Sequence, residues 1–483
     1  MLSASHVLTS LQKAGEMRRK DNIEAELFDA QYQNLAFSIS PGNSLRKELD
    51  AIDQLLDGMP EILDLVHNDL RHNSKEATGR PTEVTCEQVI RTAILMQLRS
   101  LPYRRLVEEL EVNPLYRKFT RFYGRKIPHF TTLNNLVKSI SDQTMQALVD
   151  RTVLLARDEK VEDGKAIRHD TTVSETDIAH PLDSRLLNDS VRVMSRILGR
   201  LRQAAPRLSF PYHDHSRATK KRAYQIAMGK GRNIEKHRVE WYKVLLSYQE
   251  KVRRYAQGAL DAFSADEALA YNLEIAALVA QLKEVLPLAD QVYDQAYRRV
   301  ILGESVPADE KIVSIFETHT DIICRGKKGS ATEFGHKFDV ATGRSGIVTQ
   351  YVVYKGNPCD GDVLKGAIEN HKRLFGQAPE RLAADRRYHS AANEQMANEA
   401  GVKQVAIPKP GRLSEMRKSL QKARWFRRLM RFRAGVEGNL STLLRSFGLK
   451  RCLWQGWESF KAYVGLSVLT YNLRLLAGHV SRA

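Results

Sequence analysis

Acidic residues are almost missing from one stretch of this chain: between Met416 and Trp457 there is a single carboxylate, Glu437, against eleven Lys and Arg. Other absences narrow the field. The four cysteines, Cys86, Cys324, Cys359 and Cys452, are scattered and form no CxxC pair. That argues against a zinc site and a disulfide framework, and predicts four buried or inert thiols in a reducing cytoplasm. No run approaches the ~18–20 apolar residues of a membrane span. The longest candidate, "YVGLSVLTYNLRLLAG", contains Arg474 and reads as a buried helix. The amino-terminal "MLSASHVLTSLQKAG" lacks a signal peptide's charged region and sustained apolar core. Internal repeats and low-complexity tracts are absent as well.

What is present is positive charge. The 75 Lys and Arg exceed the 57 Asp and Glu, for a net charge of +18. Such an excess implies a polyanionic partner, of which phosphate backbones are the commonest. With 42% hydrophobic and 27% charged residues the composition is that of a soluble globular protein. At 483 residues the chain exceeds the ~250–300 at which single cores stop growing, so two or three domains are expected.

The hydrophobic period changes along the chain. Residues 1–160 read as short helices: Leu45, Leu49, Ile52, Leu55 and Leu56 recur with a helical period, and Thr85 with Gln88 makes a capping box after the turn signal "TGRP". Residues 161–184 carry a strand signal, "GKAIRHDTTVSET", that ends in Asp170. Residues 185–304 form long basic helical patterns, which read as an insertion. From 305 to 483, "EKIVSIFETHTDIICRGK", "TEFGHKFDVAT" and "SGIVTQYVVYKG" read as a strand meander. A helix, a short strand ending at Asp385, a helix capped by Gly401, another strand and basic helices follow. The expected fold is α/β: a mixed sheet interrupted after its first strand by a helical insertion, with an all-α amino-terminal domain.

Two aspartates end predicted strands, and Glu437 lies on a helix after the last one. Carboxyl ends of strands in open α/β sheets are where sites assemble. Three carboxylates brought together there need cations, since like charges a few Å apart cannot all ionise. Two Mg²⁺ ions satisfy this, because they take carboxylate and phosphate oxygens together and stabilise both oxygens of an in-line phosphoryl displacement. Each acid alone has a simpler reading. Asp170 and Asp385 would be turn or cap residues, and Glu437 an ion-pair partner of Arg433 one turn earlier, worth a few tenths of a kcal/mol. On a helix, Arg433, Glu437, Ser441 and Arg445 share a polar stripe beside the apolar Val436, Leu440, Leu443 and Phe447.

The blocks "IRHDTTVSETDIAHPLDSRLLNDSVRVMSR", "EFGHKFDVATGRSGIVTQYVVYKGNPCDGDVL", "RLAADRRYHS" and "RFRAGVEGNLSTLLRSFGLKRC" resemble, in that order, bacterial insertion-sequence DDE transposases of the group-five-like type. "GRPTEVTCEQVIRTAILMQLRSLPYRRLVEEL" is similar to their helical amino-terminal domain. The resemblance implies an RNase H-like catalytic domain, with Asp170, Asp385 and Glu437 as the catalytic, metal-binding triad for two Mg²⁺, Mn²⁺ substituting. It implies cutting of double-stranded DNA at terminal inverted repeats and joining of the 3′-OH to target DNA, by a homodimer or larger assembly. The setting would be the bacterial cytoplasm, associated with the nucleoid and not with a membrane. Relatives often carry Tyr and Lys where this chain has Met430 and Leu444, with Arg445 one residue from the Lys place, and Gly where it has Arg387. These departures bear on strand-end contacts and leave the triad intact.

Expected DNA contacts are Arg386, Arg387, Tyr388, Arg427, Arg428, Arg431, Arg433 and Arg445. In "WFRRLMRFR", Trp425, Leu429 and Phe432 are expected inward, with Arg427, Arg428 and Arg431 outward. His213, Asp214 and His215 read as a basic turn rather than a metal site, Asp183 or Ser184 as a helix cap, and Asn393 and Glu394 as solvated. Two rivals stand beside the transposase: a nuclease on the same fold that never joins strands, and a catalytically silent DNA-binding derivative.

Overall fold

Side-chain caps set the starts of the first helices. In the computed structural model, which describes residues 34–36, 38–72, 84–230, 234–265, 269, 271–327 and 330–480, the helices are α1 (Ser44–Asp57), α2 (Ile62–His72), α3 (Cys86–Leu98), α4 (Tyr103–Val112), α5 (Pro114–Phe119), α6 (Phe130–Lys138) and α7 (Asp142–Asp158). Asn43, Asn113 and Ser141 accept first-turn N–H groups of α1, α5 and α7, and Thr85 with Gln88 forms the expected capping box on α3. The amino-terminal stretch and the "TGRP" turn lie outside the described residues. The buried face of α1 is Leu49, Ile52, Leu55 and Leu56, as its period predicts.

The chain forms two compact units, one of Met1–Glu175 with His336–Ala483, the other Thr176–Gly335. The second holds four helices, α8 (Asp183–Ala204), α9 (Ser216–Met228), α10 (Ile234–Ser264) and α11 (Leu273–Val300), around their own apolar core. It also holds β2 (Asp321–Lys327), paired antiparallel with the start of β3 (Ser330–Thr342).

The first unit contains β1 (Ala166–Thr176), the rest of β3, β4 (Val348–Val353), α12 (Leu364–Phe375), β5 (Arg381–Ala384), α13 (Ala391–Glu399), β6 (Gln404–Ala406), α14 (Glu415–Lys422), α15 (Arg424–Ser446), β7 (Arg451–Cys452) and α16 (Trp457–Val480). Its strands run in the order β4–β3–β1–β5–β6, with β7 also against β1. β3 and β4 are antiparallel, whereas β1, β5 and β6 are parallel. This mixed sheet, interrupted after its first strand by helices, is RNase H-like, and the region before it is all-α. Helix α16 is buried on nearly every side, as its composition requires. Its Asn472 accepts from the N–H of Val348 and donates to the same residue's carbonyl, both at 2.9 Å. That side chain satisfies backbone groups of β4 that no further strand pairs. Among the described residues no helix is long and apolar enough to cross a membrane.

Two expectations change. The stretch 310–320 is irregular and only Asp321–Lys327 is strand. The Gln295 side chain bonds both the N–H and the carbonyl of Ile312, and the Ser314 hydroxyl accepts the N–H groups of Phe316 and Glu317. Backbone groups satisfied locally leave nothing for a ladder. Asp183 caps nothing: it is buried and accepts from Gln295 at 3.0 Å and Arg299 at 2.7 Å, and the start of α8 has no side-chain cap. Of the four thiols expected to be buried or inert, Cys86 and Cys452 are buried and Cys324 and Cys359 are exposed.

Arg91 on α3, 2% exposed, ion-pairs with Glu87 on its own helix and with Asp53 and Asp57 of α1. Removing one partner of a buried pair costs ~3–5 kcal/mol. Arg121 binds the same three acids, which puts Arg91→Met at the lower end, about 3 kcal/mol. Urea denaturation of the two proteins measures it, and a difference under about 1 kcal/mol would show that Arg121 alone neutralises the cluster.

Candidate active site

Strand register brings the two aspartates together. β1 and β5 pair in parallel as Ala166↔Arg381, Ile167↔Leu382, Arg168↔Ala383 and His169↔Ala384. The next residue on each chain is Asp170 and Asp385. Asp170 is therefore not at the end of its strand, which continues to Thr176; it stands where the pairing with β5 stops. In a run buried on both faces, Asp170 is the first partly exposed position. Asp385 leaves β5 and caps a short turn, Arg386–Tyr388, its Oδ1 accepting the N–H of Arg386 at 2.6 Å.

Glu437 arrives on α15, which seats Phe426, Leu429, Val436, Leu440 and Leu443 inward. The inward aromatic is Phe426, not Trp425, because Phe426 lies three residues before Leu429 on the buried face while Trp425 sits at its edge. What sets the helix in place is Arg168, on the same face of β1 as Asp170. Its guanidinium donates to Thr342 Oγ1 at 2.8 Å, the Phe432 carbonyl at 2.9 Å and Asn439 Oδ1 at 2.7 Å. The close approach needs Gly435, where a Cβ would fall 1.9 Å from Arg168 Nη1. Burial lowers the Arg168 pKa, so these charge-assisted bonds to neutral oxygens keep a cation inside without a carboxylate.

One guanidinium links all three acids. Arg433 Nη2 lies 2.8 Å from Asp170 Oδ2 and 3.8 Å from Asp385 Oδ2, and Nη1 lies 2.7 Å from Glu437 Oε1. Side-chain exposure rises from 15% at Asp170 to 39% at Asp385 and 66% at Glu437. The site is thus anchored inside and open at Glu437. Burial raises the Asp170 pKa, and Asp385 adds to this; Arg433 and the N–H of Thr171 oppose it without cancelling it. Among the described residues no three His, Cys, Asp or Glu groups form a ready cluster for one ion, since the acids meet through Arg433. The donor chemistry nevertheless fits a hard divalent cation: three oxygen-donor acids surround a cation, and the buried one remains short of positive charge.

Behind Asp170 lies a polar layer that sequence reasoning missed. His169 and Asp339 are fully buried and 3.1 Å apart, and Tyr354 donates to the same carboxylate oxygen at 2.9 Å. Thr171 and Lys337 both bond Asp360, at 2.8 and 2.5 Å. Burial would raise the Asp360 pKa, but the Lys337 and Thr171 hydrogen bonds outweigh it and hold the carboxyl low. The available signal was charge alternating along a buried strand, Arg168 and Asp170 to one face, His169 and Thr171 to the other.

The remaining expectations divide. Arg386, Arg387, Arg427, Arg428, Arg431 and Arg445 are exposed. Tyr388 is not available to DNA: it is fully buried, edge-on to His169 with ring centroids 5.2 Å apart. Met430 and Leu444 pack against apolar clusters. Asn393 and Glu394 are structural rather than solvated. Asn393 donates to the carbonyls of Gly361 and Tyr388, and Glu394 pairs with Arg417. The His213 and His215 rings meet edge-on, with centroids 4.7 Å apart, and Asp214 accepts the N–H of Ser216, as a turn before α9.

Replacing a mid-helix Gly by Ala ordinarily stabilises by ~1 kcal/mol. Gly438→Ala meets nothing within 4 Å and should raise Tm accordingly. Gly435→Ala should lower it, because the methyl displaces the Arg168 guanidinium. Equal increases in both variants, read by thermal unfolding, would mean that the Arg168 clamp yields without cost.

Residues 39–139 match a family model described as Transposase domain (DUF772), and residues 307–473 match one described as Transposase DDE domain. The second match includes Asp385 and Glu437; Asp170 lies outside both and is joined to them by the register of β1 and β5. No curated protein and no solved structure matches the chain. The two matched regions, in this order and on this sheet, place the chain among the insertion-sequence DDE transposases.

Proposed function

We propose that this transposase cuts double-stranded DNA at the ends of its element and joins the freed 3′-OH to target DNA, with Asp170, Asp385 and Glu437 as the catalytic acids. The observation that supports this most directly is the single guanidinium of Arg433 in reach of all three carboxylates. In the first reaction water attacks phosphorus and the 3′-oxygen leaves; in the second that 3′-OH attacks a target phosphodiester and the target's 3′-oxygen leaves. The three acids would hold two Mg²⁺, or Mn²⁺, which when bound supply acidification of the attacking hydroxyl and charge stabilisation at the phosphorus.

The protein's own groups do the rest. Asp170 is oriented by the Thr171 N–H at 2.9 Å and Asp385 by the N–H of Arg386. Glu437, exposed and on the open side, is the acid free to adjust as DNA arrives. Arg433 offers a planar guanidinium to a phosphate beside the acids. Arg386 and Arg387 project from the turn that Asp385 caps and would grip the backbone next to the scissile bond. The amino-terminal helices would bind the element's end, the helical unit of residues 176–335 would contact DNA or a second subunit, and the working form would be a dimer or larger assembly in the cytoplasm.

Two measurements test the acids. In strand transfer from an element-end oligonucleotide to supercoiled plasmid with Mg²⁺, Glu437→Gln should bind DNA as wild type does and lose joining by at least ~10²-fold. Undiminished joining would reduce Glu437 to an ion-pair partner, and cleavage without joining by wild type would favour a nuclease.

The second concerns charge. Because the folded-state pKa of Asp170 lies above its unfolded value, its ionised form weakens the metal-free fold near neutral pH, and that penalty fades as pH falls through the raised value. Asp170→Asn should therefore have the higher Tm at pH 7 without metal, with the advantage shrinking toward acid pH. Added Mn²⁺ should raise the wild-type Tm more than that of the variant. The opposite order in both experiments would remove Asp170 from the metal site.

A further inference from the structure

A cavity of about 1010 Å³ opens beside α15, away from the acids. Arg344, Arg381, Arg424, Arg428, Arg431 and Trp425 line it, and no Asp or Glu does. Small-molecule sites are mostly apolar with a few polar groups; five guanidinium groups around one space suit a different ligand. We propose that this cavity is a second DNA site, which holds a phosphodiester backbone apart from the one at the acids. It rests on the reading of this chain as a DNA-cutting transposase, and adds a surface that reading does not require.

Position separates the two sites. Ala166, Arg381 and Gln404, the first residues of β1, β5 and β6, line the cavity. Asp170 and Asp385 come four residues after Ala166 and Arg381, about 13 Å along the strands at ~3.3 Å per residue. On α15, Arg424, Arg428 and Arg431 follow each other at steps of four and three and form one stripe. Arg433 comes two residues after Arg431, roughly 200° round the helix. The acids therefore face one flank of α15 and these arginines the other, with the buried face on the sheet between them.

Pairing separates this cluster from an ordinary solvated surface. Arg433 contacts three carboxylates, as do Arg91 and Arg298. Among the described residues no carboxylate comes within 4.0 Å of Arg344, Arg424, Arg428 or Arg431, and the acid nearest Arg381 is Glu380 at 3.6 Å. Unpaired guanidinium groups that converge from a turn and a helix repel one another, and a polyanion relieves that repulsion. The turn that carries Arg344 is also prearranged. Buried Glu162 accepts from the N–H and the hydroxyl of Ser345, at 2.9 and 2.5 Å. At Gly343 a Cβ would fall 2.1 Å from that carboxylate. Half-buried Trp425 adds a flat surface for a sugar or base.

The test is the salt dependence of binding of the full-length protein to a random-sequence duplex. The log–log slope falls by ~0.9 for each phosphate contact removed. The variant carrying Arg344→Gln, Arg424→Gln, Arg428→Gln and Arg431→Gln should show a slope shallower by about three to four, with wild-type circular dichroism and a Tm no lower than wild type's. The control carries Lys160→Gln, Lys355→Gln, Lys365→Gln and Lys372→Gln, exposed positions of the same unit that belong to neither site. An unchanged slope in the first variant, or an equal loss in the control, overturns the site. Strand-transfer assays then tell whose backbone it holds: loss of joining with end cleavage kept assigns target DNA, and loss of both with weaker end binding assigns the element's end. Binding is read without any reaction, so a wild-type protein that neither cuts nor joins would sink the catalytic reading while the slope still decides this one.

Discussion

Arg168 is the constraint on which the site depends. It is a buried cation with no acid of its own, held by a threonine hydroxyl, a helix carbonyl and an asparagine. To satisfy it, α15 must lie across β1 at one height and one rotation, with Gly435 facing the strand. That rotation decides what each side of the helix meets. Arg433 and Glu437 fall toward the two aspartates, and the stripe of Arg424, Arg428 and Arg431 falls toward the opposite ends of the strands. A buried charge that can be satisfied in only one arrangement specifies register more sharply than apolar packing, which tolerates small rotations.

The electrostatics of the two flanks are opposite in sign and linked in cause. On one, carboxylates are concentrated beyond what one arginine neutralises, and burial leaves Asp170 the acid most in need of further positive charge. On the other, arginines are concentrated without acids. Both are costly in the isolated chain, and the cost on each flank is relieved by what a DNA-processing enzyme would meet there: cations on the first, phosphates on the second. The chain's surplus of +18 is thus partly organised around α15 rather than spread as a general basic coat.

Much of this was legible in the sequence. The helical amino-terminal region, the strand–insertion–strand order, three acids as candidates and the exposure of Arg427, Arg428 and Arg431 follow from period and residue type. These are local properties: a heptad-like spacing, an alternation or a charge run acts on neighbours in the chain. Where local reading failed, a distant partner was responsible. Asp183 looked like a cap until Gln295 and Arg299 reached it; the stretch around Ile312 looked like a strand until Gln295 satisfied its backbone. Tyr388 looked like a DNA contact and became core, because the turn that Asp385 caps folds its ring against His169.

The sequence alone determined which elements form, which charges are in excess and which three acids are candidates. It did not determine that they meet. That was decided by the parallel register of β1 and β5, which sets Asp170 beside Asp385, and by the Arg168 clamp, which turns Glu437 toward them. Register and rotation depend on contacts between residues some 200 to 270 positions apart in the chain, so no local pattern carries them.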